Sequence, residues 1–84
     1  MEQVAKVERD GREYLIFEGQ GAFWVVHPKF VNPIFPYGFA LHGALKRDSM
    51  EAAMRAAVDR IGVDKIVDET GLDRLDAMMK YYFG

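Results

Sequence analysis

The sequence predicts an α+β fold, with a three- to four-stranded antiparallel β-meander followed by two or three α-helices packed on one face of the sheet. The first third of the chain holds β-branched and aromatic runs separated by glycine turns, whereas the last third has apolar residues at helical spacing. The length of 84 residues suits one core rather than two. We therefore expect a single domain over 1–84, with the sheet and a proline- and aromatic-rich segment in 1–46 and the helices in 47–84.

Three strands joined by short turns are predicted before the first proline. Asp10-Gly11 separates the first two runs, and an Asp-Gly pair is a strong hairpin signal because both residues must tolerate a positive φ. Gly19-Gln20-Gly21 separates the second run from the third, which is aromatic and β-branched and which ends before Pro28. The three predicted strands cover 2–9, 12–18 and 22–27.

The second predicted strand is apolar on both faces. Tyr14 and Ile16 point to one side of the sheet, while Leu15 and Phe17 point to the other. A sheet with two apolar faces needs cover on both. The helices supply one cover, and the other must come from 28–38, from a second copy of the chain or from a partner. A homodimer is predicted on this ground.

Residues 28–38 contain all three prolines together with several large apolar side chains. Proline excludes a helix here and favours an extended backbone in the residue before it. Because flexible linkers lack such large apolar side chains, we predict that residues 28–38 form an ordered segment that crosses the sheet. Residues 39–46 are ambiguous, because Gly43 disfavours a helix whereas the alanines and leucines favour one; we predict a short fourth strand.

A capping-box pattern, Asp48 with Glu51 three residues later, predicts the start of the first helix. Apolar residues then recur at 3.6-residue spacing. Gly62 is predicted to end this helix, because glycine adopts the left-handed cap conformation without strain. The residues predicted to face inward are Met50, Ala53, Met54, Ala57, Val58 and Ile61.

Two further helices are predicted on either side of Gly71, a short one over 64–70 and a last one from about Asp73 to Phe83. Their spacing indicates one apolar face on the last helix. The residues of that helix predicted to face inward are Leu75, Met78, Met79 and Tyr82.

Composition narrows the classes of function. The net charge of −2 and the pI of about 5.6 indicate no phosphate-binding face. The absence of cysteine excludes disulfides and cysteine-ligated zinc. The start of the chain lacks the basic and apolar regions of a secretion signal, and no apolar stretch approaches the ~18 residues that cross a bilayer. We therefore expect a cytoplasmic protein with no cofactor and no membrane association.

The densest cluster of aromatic residues lies between Phe23 and Phe39. Aromatic anchors dominate binding energy at protein interfaces. We therefore expect a non-enzymatic protein-interaction module, such as a small regulator, inhibitor or accessory subunit. The alternative is that this segment folds over the open sheet face and completes the core, and the two interpretations are compatible in part. The predicted partner-binding residues are Trp24, Phe30, Phe35, Tyr37 and Phe39.

Residues 64–82 offer a second hypothesis, DNA binding. The stretch 66–73, with Gly71 at the turn, resembles the helix–glycine turn–helix of DNA-binding repressors. The resemblance covers about a quarter of the chain. Asp73 and Asp76 depart from the pattern, because carboxylates at the start of a recognition helix repel phosphates. No Asn or Gln is present there to read adenine, so nucleic-acid binding is not expected.

The two histidines offer a third hypothesis, a small enzyme or ligand-binding domain that uses His27 and His42. Their spacing is weak evidence for a metal site. The single serine and the single threonine both fall at predicted helix boundaries, where capping accounts for them. The Gly19–Gly21 turn precedes a strand and not a helix, so it lacks the helix start that a nucleotide-binding loop needs. We therefore expect no catalytic or metal-binding role.

Overall fold

Four antiparallel strands form one sheet in chain order and two helices follow it, in a computed structural model that describes residues 1–84. This confirms the α+β meander and the presence of a fourth strand, which covers Ala44–Arg47 rather than 39–46. Neither helix combines the length and apolar character needed to span a bilayer. The elements are β1 (Glu2–Arg9), β2 (Arg12–Gly19), β3 (Ala22–Val26), β4 (Ala44–Arg47), α1 (Met50–Thr70) and α2 (Arg74–Phe83).

Two-residue turns join the first three strands. Arg9 pairs with Arg12 across the first turn, and Gly19 pairs with Ala22 across the second. Both turn residues have a positive φ in each case, 54° and 75° in the first turn and 54° and 72° in the second. These turns match the right-handed twist of the flanking strands, which is why an Asp-Gly pair favours them.

The first face of the sheet is covered by α1. Ile16 and Val25 project from the sheet and are almost fully buried. The helix contributes small side chains here, so that its backbone approaches the strands closely. The buried residues of this first core are Val7, Tyr14, Ile16, Val25, Ala53, Ala56, Ala57 and Ile61.

The start and the inward face of α1 differ from the predictions. Ser49 is the N-cap instead of Asp48, and its Oγ accepts a hydrogen bond from the Ala52 amide at 3.1 Å. Met54, predicted to face inward, is 46% exposed, whereas Ala56 is buried. The other five predicted residues do face the core, so the prediction fails only at Met54, where the sheet takes the small side chain of Ala56 into close contact instead.

Gly62 does not end the first helix, so the predicted third helix is wrong. The helix runs through Gly62 to Thr70 and ends at Gly71, whose φ of 72° supplies the left-handed cap. Glycine is needed at 62 for a tertiary reason: a Cβ there would overlap the ring of Tyr81 on α2. A close approach between helices thus accounts for a residue that locally resembles a stop signal.

The second face of the sheet is covered by the crossing, residues 27–43, which runs from β3 to β4. Two single-turn 3-10 helices lie at its ends, and Val31 bridges Phe39 in the middle. Phe39 of the crossing packs against Phe17 and Val26 of the sheet. The chain therefore covers its own second face, and the sheet does not need a second copy for that purpose.

The short helix α2 turns a different face inward from the predicted one. Ala77 is fully buried, and Tyr81 lies half-buried over α1. Two polar links fix this orientation: Tyr81 Oη donates to Asp59 Oδ1 at 3.0 Å, and Arg74 pairs with Asp64 at 2.7 Å. The prediction that Leu75, Met78, Met79 and Tyr82 face inward is wrong, because all four are exposed.

Candidate functional site

The predicted partner-binding residues divide between the second core and the surface. Phe39 is 1% exposed, and its ring centroid lies 4.9 Å from that of Phe17, so its side chain belongs to the core. Trp24, Phe30 and Tyr37 are half-buried against the same core. Phe35 alone is exposed, at 41%.

The exposed part of the aromatic segment is the tip of the crossing. Ile34 is 84% exposed and lies beside Phe35 in sequence. Asn32 holds this tip in place, since its side-chain Oδ1 accepts from the backbone amide of Ile34 at 3.0 Å and its backbone N–H donates to the Gly38 carbonyl at 2.9 Å. The tip is a small apolar surface on an ordered loop.

A larger apolar surface lies on α2, and we call it the α2 stripe. Its five residues follow the spacing i, i+3, i+4, i+7 and i+8, so they share one side of the helix. Their exposed fractions range from 39% to 85%. The sequence reveals this stripe but not its direction, which is set by the contacts of Ala77 and Tyr81. The α2 stripe consists of Leu75, Met78, Met79, Tyr82 and Phe83.

The α2 stripe borders a groove of about 320 Å³ between α1, α2 and β4, which we call the arginine groove. Met78 and Tyr82 form its α2 wall, and Tyr82 Oη donates to Asp59 Oδ2 at 3.2 Å. Sequence spacing within a single helix gives no signal for such a groove, because three elements build it. Its apolar lining residues are Leu45, Ala52, Ala56, Val63, Met78 and Tyr82.

Four arginines and a single carboxylate, Asp59, line the arginine groove. Two of these arginines are paired with carboxylates, one with Glu51 at 3.1 Å and the other with Asp64 at 2.7 Å. Arg47 and Arg60 form no salt bridge. The groove is therefore positively charged in a chain whose net charge is −2. The four arginines are Arg47, Arg55, Arg60 and Arg74.

A second concavity, the polar cleft, has a volume of about 780 Å³ and lies between the first turn, the crossing and α1. It brings together the two histidines that the sequence singled out, His27 and His42. His27 Nδ1 accepts from the Lys29 amide at 3.1 Å, and its ring meets that of Tyr14 edge-on at 5.2 Å. His42 is exposed, and its ring lies 5.5 Å from that of Phe30.

The histidines stand apart from the carboxylates of the cleft. Neither ring makes a hydrogen bond or salt bridge to Asp or Glu. No three His, Asp or Glu side chains converge as metal ligands would. Catalysis through His27 and His42 stays an alternative hypothesis, beside the prediction that the chain has no catalytic role.

Tyr14 is the buried polar group of the cleft wall. Its Oη donates to Asp64 Oδ2 at 2.5 Å. Burial, and after it the hydrogen bond to the Asp64 carboxylate, raises the pKa of Tyr14 to about 12. The phenol therefore stays neutral at physiological pH and holds Asp64 in place.

We expect the free energy of unfolding to fall more steeply between about pH 10 and about pH 12 in the wild type than in Tyr14→Phe. Tyrosine in the unfolded chain ionises near pH 10, whereas the raised pKa keeps Tyr14 protonated in the fold to about pH 12. The stabilisation of the fold that follows from the raised pKa of Tyr14 is fully present below about pH 10, and it is lost as the pH rises towards about 12. With allowance for solvent screening we expect a difference of about 1 kcal/mol. Urea unfolding of both proteins across this range measures it, and equal slopes would contradict it.

The helix pair also bears on the DNA-binding hypothesis. The turn at Gly71 does join two helices, but the first is the long α1 rather than a short helix over 64–70. The exposed side of α2 is the apolar α2 stripe, with Asp73 and Asp76 at its start. Such a surface offers few donors to phosphates or base edges.

Comparison of the chain with protein-family models, curated proteins and solved structures gave no match.

Proposed function

We propose that this chain is a protein-interaction module that binds an acidic amphipathic helix in the arginine groove. The observation that carries the proposal is the orientation of α2, which buries Ala77 and leaves its large apolar residues in water. Exposed apolar surface costs about 25 cal/mol per Å² relative to burial. A contiguous apolar patch on a small domain is typical of a contact surface.

The shape of the groove favours a helix as the occupant. Met78 and Tyr82 are one helical turn apart and stand beside a floor that includes Ala52 and Ala56 of α1. A volume of about 320 Å³ accepts one or two large side chains. Anchors spaced one turn apart on a partner helix match such a groove, as in other helix-in-groove complexes.

Charge favours an acidic partner over a second copy. Arg47 and Arg60 lie at the groove without a carboxylate partner, so glutamates beside the apolar anchors of the partner would pair with them. A two-fold dimer through this face would place the arginines of both copies at one interface, and such like charges repel. The homodimer predicted from the sequence is therefore an alternative outcome.

The test uses a labelled synthetic helix of about 16 residues, with leucines at i, i+3 and i+7 and glutamates on the flanks. We expect fluorescence anisotropy to show binding to the full chain. A twin peptide with lysine in place of glutamate should bind at least about tenfold more weakly. Equal affinity for the two peptides would refute the acidic partner.

Variants locate the contact. Met78→Ala should weaken binding about tenfold, which corresponds to about 1.4 kcal/mol. Met54→Ala is the matched control, because Met54 is a similarly exposed helical methionine outside the groove. A loss in Phe35→Ala but not in Met78→Ala would move the contact to the tip of the crossing. Sedimentation as a dimer at micromolar concentration, abolished by Met78→Ala, would assign the groove to a second copy.

A further inference from the structure

The polar cleft has more positive than negative charge once its ion pairs are assigned. Three carboxylates line it, those of Glu13, Asp64 and Asp68. Each has a cationic partner, at 3.8 Å for Glu13, 2.7 Å for Asp64 and 2.9 Å for Asp68. Lys29 and Arg60 also line the cleft and form no salt bridge. Two cations are therefore uncompensated.

Arg60 has donors that the chain itself leaves unpaired. Its Nε is buried and has no hydrogen-bond partner. Buried donors are almost always paired. The Nε is covered by protein atoms, so an oxyanion in the cleft would instead bind the two terminal nitrogens of the Arg60 guanidinium, which form no salt bridge, in the bidentate geometry that arginine favours.

The remaining polar groups of the cleft are suited to donate hydrogen bonds. His27 uses Nδ1 as the acceptor for the Lys29 amide, so the neutral ring carries its proton on Nε2. That nitrogen is a free donor. Lys29 is exposed, and its ammonium lies 5.2 Å from the centroid of the Phe30 ring, which places it at the cleft.

We propose that the polar cleft binds a small polar organic anion through a carboxylate or phosphate group held by Lys29 and Arg60. The volume of about 780 Å³ lies within the range of small-molecule sites, about 300–1,000 Å³. The lining is mainly charged and polar, with few apolar residues such as Val67, which suits a hydrophilic ligand. The polar cleft and the arginine groove share the Arg60 guanidinium, whereas Lys29 lines the cleft alone.

The test follows backbone amide shifts of the full chain by NMR during titration with pyrophosphate, with citrate and with neutral glycerol. We expect saturable shifts at Gly11, Lys29 and Gly43 with at least one anion at about 1 mM or below, and none with glycerol. Saturation by pyrophosphate alone identifies phosphate chemistry, and saturation by citrate alone identifies carboxylate chemistry. No saturation by either anion up to about 10 mM would overturn the proposal.

A matched pair of lysine variants tests whether the anion binds in the polar cleft. Lys29→Gln should weaken anion binding about tenfold, the effect of losing one charged hydrogen bond. Lys46→Gln is the control, because Lys46 also lies over an aromatic ring, that of Trp24 at 5.9 Å, but outside the cleft. Equal losses in both variants would overturn the proposal, because they would indicate general charge attraction. Peptide binding in the arginine groove should be unchanged by Lys29→Gln.

Discussion

Phe39→Ala is expected to lower the free energy of unfolding by about 3–4 kcal/mol. The side chain is 1% exposed, and its ring lies between those of Phe17 and Trp24, at centroid distances of 4.9 and 6.1 Å. Truncation removes the transfer free energy of the ring and leaves a cavity between the sheet and the crossing. A small domain has about 5–10 kcal/mol of total stability, so this one change removes a large part of it.

The matched control for that prediction is Phe35→Ala, in the same segment. Phe35 is 41% exposed, and we expect its truncation to cost below about 1 kcal/mol. Urea unfolding followed by Trp24 fluorescence and by circular dichroism measures both variants. If Phe39→Ala unfolded at the same urea concentration as the wild type, the crossing would not be part of the core.

Gly62→Ala is expected to destabilise the protein by about 1–2 kcal/mol, although the same change in an ordinary helix interior stabilises by about 1 kcal/mol. The added Cβ overlaps the ring of Tyr81. Relief of that overlap moves α2 away from α1 and breaks the 3.0 Å hydrogen bond from Tyr81 to Asp59. Urea unfolding again gives the measurement.

A double-mutant cycle separates this steric effect from helix propensity. In the Tyr81→Ala background the ring is absent, so Gly62→Ala should stabilise by about 1 kcal/mol. The sign of the effect therefore reverses between the two backgrounds. Stabilisation by Gly62→Ala in the wild-type background would show that α2 does not rest on Gly62.

Local chemistry made much of the fold predictable. Asp10-Gly11 specifies its turn through the φ angles that it tolerates, and Gly71 ends α1 for the same reason. The two apolar faces of β2 correctly indicated that the sheet needs two covers. In each case the decisive interaction lies within a few residues of the signal, or follows from strand alternation alone.

The predictions that failed concern features that are determined by residues distant in sequence. Gly62 resembles a helix stop until Tyr81 is known to lie on it. Periodicity shows which residues of α2 share a side, but the packing of Tyr81 on Gly62 and the pairing of Arg74 with Asp64 determine which side faces α1. The aromatic cluster is divided between core and surface by the path of the crossing, which no local signal sets.

The candidate sites were the least predictable features, because several elements build each of them. The polar cleft draws Arg12 from β2, His42 from the crossing and Arg60 from α1. The sequence singled out the histidines because imidazole serves in acid–base chemistry, whereas arginine is a common surface residue. Only the fold shows that two of its cations are unpaired.

The two-residue turns also have a consequence for folding kinetics. They make every contact among β1, β2 and β3 close in sequence, and hairpins of this kind form within about 1–10 μs. Pairing of β4 with β3 requires closure of the loop formed by residues 27–43. This closure costs more entropy than closure of a two-residue turn. We therefore expect the amino-terminal hairpins to assemble first and the docking of β4 to limit the folding rate.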